Sequence, residues 1–206
     1  MGQKLSPTDI SELICTRLSH DIIGNIGAVS NAVELLEEGD ADFMDDIKSI
    51  LKTGSAVLTA RLKFFRMAFG LNNAAANDLS VVETTIRNYL QTVGSKNYPV
   101  ELEVKAQSPD LGKILMLESM LAADIMIKGG KISIVQNGYK LYLKVSGVGK
   151  LSAEKTEILS AVVSGQYFEK TAQYAPAYYL KTILDEAGLS VKTNMPDAET
   201  FEMLVE

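Results

Sequence analysis

Apolar residues recur at steps of three and four over the first 70 positions, which is the spacing of amphipathic helices. Ser6, followed by a proline and by an acid at the third position, predicts the N-cap of the first helix. The segment Glu37-Glu38-Gly39-Asp40 predicts the end of that helix and the N-cap of a second one. In the first helix the spacing defines one stripe that we expect to be buried, formed by Ile14, Leu18, Ile22, Ile26, Val29, Val33 and Leu36.

The second helix is predicted to end at Gly70, and the short turn near residue 39 makes the pair an antiparallel hairpin. Symmetry about this turn sets His20 level with Ala60, and Gly24 and Gly27 level with Ser55 and Lys52. Two helices bury only one side of such broad stripes. We therefore expect either a symmetric dimer that forms a four-helix bundle, or cover by the rest of the chain.

The pattern changes at residue 79, where shorter helical and alternating segments begin. Asn137-Gly138 between two alternating runs is a strong hairpin signal. The chain is thus predicted to be an α+β protein with a helical hairpin at 1–73 and an α/β sandwich with a mostly antiparallel sheet at 79–206. The predicted helices of the second part are 80–93, 109–127, 152–164 and 174–187, and its strands are 98–105, 131–135, 140–145, 189–193 and 200–205.

His20 is the only histidine among 206 residues, and Asp21 follows it directly. At about 100° per residue, His20 lies about 160° from Ile22 and therefore points away from the predicted stripe. Gly24 and Gly27 follow on its own side, although glycine inside a helix costs about 0.5–1 kcal/mol relative to alanine. We interpret the glycines as clearance for a partner beside His20. Close helix packing is the alternative, and a lone histidine is also compatible with an ordinary surface or core residue.

The composition of the chain argues against nucleic-acid binding, a membrane span and a zinc site. The chain has 20 basic and 26 acidic residues, a net charge of −6, and no basic cluster, which argues against a nucleic-acid surface. Glu118 and Asp124 interrupt the longest apolar run, so we expect no membrane span and a cytoplasmic protein. Cys15 is the single cysteine, predicted to be a buried small residue. One histidine and one cysteine exclude the common zinc sites, and we expect no metal.

The segments RLSHDIIGNIGAVSNAVELLEEG at 17–39 and RLKFFRMAFG at 61–70 together resemble histidine phosphotransferases of the ChpT type from alphaproteobacteria. More loosely, they resemble the dimerisation helices of sensor histidine kinases. The resemblance implies a homodimeric four-helix bundle in which His20 carries a phosphoryl group between aspartates of receiver domains, one in a hybrid histidine kinase and others in response regulators. The Mg²⁺ would belong to the receiver, so no cofactor is expected on this chain.

The same resemblance implies roles for the neighbours of His20. Asp21 would orient His20 or the incoming partner, and Arg17 would pair with phosphate or with acids of the receiver. The docking surface would further comprise Gly24, Gly27, Ala28 and Asn31 on the first helix and Ser55 and Thr59 on the second.

The order of elements from residue 79 resembles the ATP-binding domain of histidine kinases, but its functional residues are replaced. If Glu118 is the glutamate of the kinase pattern, Ala122 stands where asparagine holds Mg²⁺, and Ser146 stands where an aspartate reads adenine. The glycine-rich phosphate loop corresponds to residues 175–180, which contain no glycine. We therefore expect a degenerate, kinase-like domain that does not use ATP, with Gly147 and Gly149 in a turn after a strand.

Two alternative functions use the same sequence features. A non-catalytic dimeric scaffold would use the same hairpin to bind signalling proteins, and an ATP-dependent kinase is opposed by the replaced residues.

An aromatic-rich segment is compatible with core and interface packing or with a second contact for the partner. Its members are Tyr167, Phe168, Tyr174, Tyr178 and Tyr179.

Overall fold

The computed structural model describes residues 5–38, 43–70, 74–166 and 170–206. Two long helices come first, α1 at Pro7–Glu38 and α2 at Met44–Phe69. Ser6 caps α1 as predicted: the Asp9 amide donates to Ser6 Oγ at 3.1 Å, and the Ser6 amide donates to Asp9 Oδ2 at 2.9 Å. Gly70 ends α2, its amide donating to the Arg66 carbonyl. The predicted turn at residues 39 and 40 lies outside the described residues.

The two long helices contact each other closely at one point. A Cβ atom added to Gly54 would lie 2.6 Å from Cγ2 of Val29, so the Val29 side chain lies against the α2 backbone there. Symmetry about a turn near residue 39 would have set Val29 close to Ile50 instead. The predicted register is therefore displaced along α2 by about one helical turn, because the close approach needs the glycine at position 54.

The second half of the chain folds as predicted into helices on one face of a mixed sheet, and the α+β class is confirmed. The strand order is β1-β2-β3-β5-β4; β1 and β2 are parallel, and the other neighbours are antiparallel. Gly138 takes the positive φ of 61° that the tight turn between β2 and β3 requires. The helices are α3 (Leu79–Val93), α4 (Gly112–Ile125), α5 (Ala153–Val163) and α6 (Ala175–Glu186), and the strands are β1 (Val100–Lys105), β2 (Gly130–Asn137), β3 (Lys140–Gly147), β4 (Val191–Asp197) and β5 (Thr200–Val205).

One hydrophobic core runs from the sheet through α4 to the far end of α2. Phe64 of α2 is fully buried and stacks on Tyr89 of α3, with ring centroids 4.0 Å apart. Leu13, Leu18 and Ile22 of α1 pack against the same core. The part of α1 that carries His20 is thus packed against the second half of the chain. The division into domains at residues 73 and 79 stays a prediction.

Within the single chain only part of the stripe predicted along α1 is covered. Ile14, Leu18, Ile22 and Val29 are half buried, but Ile26 is 51% exposed, and Val33 and Leu36 are also exposed. The second half of the chain packs beside the first turns of α1, so the later turns are covered by α2 alone. The prediction for Cys15 was wrong: it is exposed, because it points away from that contact.

Candidate functional site

His20 lies in the middle of α1 with its side chain 87% exposed, on the side away from the core as the helical spacing predicted. Its Nδ1 atom is 3.5 Å from Oδ1 of Asp21, a long contact at the weak end of hydrogen bonding. A neutral imidazole that carries its proton on Nδ1 would donate it to Asp21 and leave the lone pair of Nε2 free. This arrangement suits a nucleophile that faces solvent.

Arg17 joins Asp21 to the second half of the chain. Its Nε donates to Asp21 Oδ2 at 2.8 Å, its Nη2 to Asp124 Oδ1 at 2.9 Å, and its Nη1 to the Gln173 carbonyl at 2.9 Å. The side chain is only 13% exposed. Arg17 was predicted to meet phosphate or acids of a receiver, but the structure directs its guanidinium to groups of its own chain. The physical reason is that a largely covered guanidinium needs anionic partners close by.

Asp124 lies near the end of α4, and its carbonyl accepts a hydrogen bond from Lys155 Nζ at 3.1 Å. Burial raises the pKa of the Asp124 carboxyl, and the charge and hydrogen bond of Arg17 act against that rise. Sequence reasoning missed Asp124, Lys155 and Gln173. The signal for Asp124 was present: an acid at the end of a largely apolar helix favours a charged partner close by.

Arg61 of α2 is hydrogen-bonded to the α1 backbone next to His20. Its guanidinium donates to the Asp21 carbonyl, and to Oγ1 and the carbonyl oxygen of Thr92 in α3, both at 3.2 Å. The helix turn that carries His20 is therefore bonded to α2 and, through Arg61, to α3. Sequence reasoning gave no role to Arg61.

A cavity of about 550 Å³ opens beside His20, between α1 and the second half of the chain. Its walls combine an apolar floor with two cations and two anions. The lining residues are Thr16, Arg17, His20, Asp21, Leu121, Asp124, Ile125, Lys155, Leu159, Ala172, Gln173 and Tyr174.

Gly24 and Gly27 lie one and two turns beyond His20 on an open surface. A Cβ atom added to either residue would meet no atom within 4 Å outside its own helix turn. Within this chain neither glycine is used for close helix packing, whereas Gly54 is. Ala28 and Asn31 of α1 and Ser55 and Thr59 of α2, the other predicted docking residues, are all exposed.

The positions that would bind nucleotide in a kinase serve packing here. Ala122 is fully buried in α4, and the segment Ala175–Leu180 forms the buried start of α6. A Cβ atom on Gly147 would lie 2.7 Å from the Gly149 carbonyl oxygen, and Gly149 has a φ of 88°, so the two glycines form the predicted turn after β3. Glu118 is also fully buried, and burial raises its pKa to about 8.

The aromatic-rich segment is used for packing where the structure describes it. Tyr174 and Tyr178 are buried, and the ring of Tyr179 lies 5.6 Å from that of Phe69 at the junction with α2. Tyr167 and Phe168 lie outside the described residues. Within residues 5–38, 43–70, 74–166 and 170–206, no helix is long and apolar enough to span a membrane.

Comparison with known proteins places these features in a family. Residues 81–199 match the family described as histidine phosphotransferase C-terminal domain. Protein phosphotransferase ChpT of Brucella abortus (strain 2308) is 45% identical over 71 residues, which are 34% of this chain and 33% of that protein. The aligned segment thus spans about a third of the length of this curated relative.

Solved structures give a second line of comparison. The structure of a bacterial phosphotransferase superposes with a TM-score of 0.80 and 26% identity, covering 100% of both chains. A histidine kinase from Burkholderia phymatum STM815 covers 91% of this chain and 95% of its own, but its TM-score of 0.39 and 12% identity are too low to support an argument. From the family match over more than half of its length, the chain belongs to the histidine phosphotransferase family, of the ChpT type that its sequence resembles.

Proposed function

We propose that this chain is a phosphorelay histidine phosphotransferase in which His20 takes a phosphoryl group from one receiver domain and gives it to another. One observation carries the proposal: the only histidine of the chain is 87% exposed on an open helix face, with a carboxylate on the Nδ1 side of its ring. Family membership makes phosphoryl transfer the chemistry to expect of such a histidine. Imidazole suits it because the neutral form is nucleophilic near pH 7.

In the loading step Nε2 of His20 attacks the phosphorus of an aspartyl phosphate. The N–P bond forms, the P–O bond to the aspartate breaks, and the aspartate leaves as a carboxylate. The unloading step is the reverse, with a second aspartate carboxylate as the nucleophile and imidazole as the leaving group. Asp21 stabilises the positive charge on the ring while the proton stays on Nδ1. Positioning and charge neutralisation dominate such transfers, and the receiver supplies the Mg²⁺.

The partners in this proposal are receiver domains of a hybrid histidine kinase and of response regulators. Open space above Gly24 and Gly27 lets a partner backbone approach within one to two turns of His20. Ala28 and Asn31 continue the same exposed surface, and Ser55 and Thr59 are the predicted contribution of α2. A receiver that docks there brings its aspartate to His20.

The hairpin is proposed to pair with a second copy into a four-helix bundle. The hairpin exposes large apolar side chains on both helices, more than a solvated hairpin normally carries. Helix-on-helix packing of a second hairpin would cover them. These side chains are Ile23, Ile26, Val33, Leu35 and Leu36 of α1 and Phe43, Ile50 and Leu62 in and before α2.

Two rival functions are separable by experiment. An ATP-dependent kinase is disfavoured because Ala122, Ser146 and the segment Ala175–Leu180 offer neither a metal ligand nor a phosphate loop. A scaffold that merely binds signalling proteins would need the hairpin but not the imidazole of His20. Such a scaffold would keep its biological output after His20→Ala.

The test uses one donor in each of two tubes. Purified protein is mixed with a ³²P-labelled phospho-receiver in one tube and with labelled ATP in the other, alongside His20→Ala. We expect acid-labile, base-stable label from the receiver only, and none in the variant. Label from ATP would show that the second half of the chain is an active kinase. Label from neither donor, with a cognate receiver tested, would favour the scaffold.

A further inference from the structure

We propose that Asp124, on the second half of the chain, is a positioning residue for His20: it fixes Arg17, Arg17 fixes Asp21, and Asp21 holds the Nδ1 side of the imidazole. This inference rests on the proposed function, since it explains how Nε2 is kept available as the nucleophile. It also gives the kinase-like half of the chain a role that needs no nucleotide.

The contacts form an unbroken series from the core to the imidazole. Asp124 Oδ1 lies 2.9 Å from Arg17 Nη2, Arg17 Nε lies 2.8 Å from Asp21 Oδ2, and Asp21 Oδ1 lies 3.5 Å from His20 Nδ1. The side chains of Asp124, Arg17 and Asp21 are 28%, 13% and 17% exposed, whereas that of His20 is 87% exposed. The covered members can hold a fixed geometry, and the exposed member can meet a partner.

Because the guanidinium is planar, the contact of Arg17 with Asp124 determines how Arg17 is oriented toward Asp21. The group is planar, so fixing two of its nitrogens fixes the direction of the third N–H. Asp124 takes Nη2 and the Gln173 carbonyl takes Nη1, which leaves Nε–H directed at Asp21. With an amide in place of the Asp124 carboxylate, Arg17 has only neutral acceptors on the second half of the chain, and its plane is held less firmly.

The anchor itself is rigid. Asp124 belongs to α4, whose residues from Ile114 to Ala122 are buried with no exception. The Asp124 carbonyl accepts from Lys155 Nζ, and the carbonyl of the next residue, Ile125, accepts from the Ser152 amide at 2.9 Å. The position of Asp124 is therefore set by the core of the second half and not by α1.

His20 makes a direct test possible because it is the only histidine. Protein labelled with ¹⁵N-histidine gives NMR signals from one pair of ring nitrogens. When the ring is neutral, their chemical shifts report the shares of the Nδ1–H and Nε2–H tautomers. The same samples are treated with phosphoramidate, which needs no receiver: Nε2 attacks phosphorus, the N–P bond to His20 forms, and the donor's own P–N bond breaks to release ammonia. The variant is Asp124→Asn, matched by Asp185→Asn, which removes the exposed ion pair with Lys181 on α6.

We expect Asp124→Asn to shift the tautomer balance toward Nε2–H and to slow phosphorylation by about tenfold, the difference between a charged and a neutral hydrogen bond. Asp185→Asn should change neither quantity. Arg17→Lys, which keeps the charge but lacks the planar fork, should reproduce the Asp124→Asn shift and serves if Asp124→Asn does not fold. An unchanged tautomer balance in both variants overturns the proposal, even if the rate falls. Failure of the proposed function looks different: His20 would accept phosphate from phosphoramidate but from no phospho-receiver.

Discussion

Nη2 of Arg17 lies 2.9 Å from Oδ1 of Asp124, so one ion pair joins the helix of His20 to a helix 107 residues further along the chain. The same guanidinium contacts Asp21, the neighbour of His20. Because Arg17 is largely covered, this pair is screened less by solvent than a surface ion pair would be. The site is thus built by both halves of the chain, although the imidazole belongs to the hairpin.

Gly54 is predicted to be needed for the packing of the hairpin. In Gly54→Ala the new Cβ would lie 2.6 Å from Val29 Cγ2, and valine is stiff at χ1, so the helices have to separate. We expect a loss of about 1–3 kcal/mol in the free energy of unfolding, measured by denaturant titration at fixed protein concentration. Val29→Ala combined with Gly54→Ala should recover most of it. A single variant as stable as the original would contradict the contact.

At Gly24 we expect the opposite change in stability from that at Gly54. Gly24→Ala adds a Cβ in open space, so we expect a gain of about 0.5–1 kcal/mol in stability from helix propensity alone. Gly24→Tyr should fold equally well but slow transfer from a phospho-receiver, while phosphorylation by phosphoramidate stays unchanged. Equal slowing with both donors would show that the bulky side chain disturbs His20 and not docking.

The exposed apolar face of the hairpin predicts a dimer that one charge disrupts. Ile26 is 51% exposed near the middle of α1, and burying an aspartate there at a bundle interface is costly. Ile26→Asp should halve the mass measured by light scattering at micromolar concentration. Ile127→Asp, at a residue 66% exposed on the second half of the chain, is the control and should leave the mass unchanged. Monomeric original protein would rule the dimer out.

The buried carboxyl of Glu118 predicts a pH-dependent stability. Its pKa rises from the ordinary 4.5 to about 8 because burial disfavours the charged form. The folded state therefore holds a proton that the unfolded chain has lost, so this contribution to stability is complete below pH 4.5 and is lost as the pH rises through 8. Glu118→Gln should gain stability relative to the original protein between pH 5 and pH 8. Parallel pH profiles of the free energy of unfolding would contradict this.

Local sequence signals were sufficient for most of the fold. The capping box at Ser6, the turn at Gly138 and the alternation of β2 and β3 each act over a few residues, and the structure confirms the corresponding elements. The same holds for the exposure of His20, which follows from the angle between its side chain and the stripe. Such features need no knowledge of which distant segments meet.

Features that depend on distant contacts could not be predicted from local patterns. Arg17 was assigned to a partner because nothing local reveals that Asp124 and Gln173 arrive beside it. The register of the hairpin was displaced for the same reason, since its contacts, Val29 against Gly54 and Arg61 on the Asp21 carbonyl, join distant residues. Periodicity shows which side of α1 is apolar, but not how much of that side the rest of the chain covers.

The central claim is that His20 carries a phosphoryl group rather than merely binding receivers, and a load-and-chase measurement tests it most directly. The protein is loaded with ³²P by a phospho-receiver, separated from the donor, and mixed with a second, unlabelled receiver of different mass. We predict that label leaves the chain and appears on the second receiver, and that His20→Ala neither loads nor passes label. Label that stays on the chain, or that loads at another residue in His20→Ala, would contradict the account.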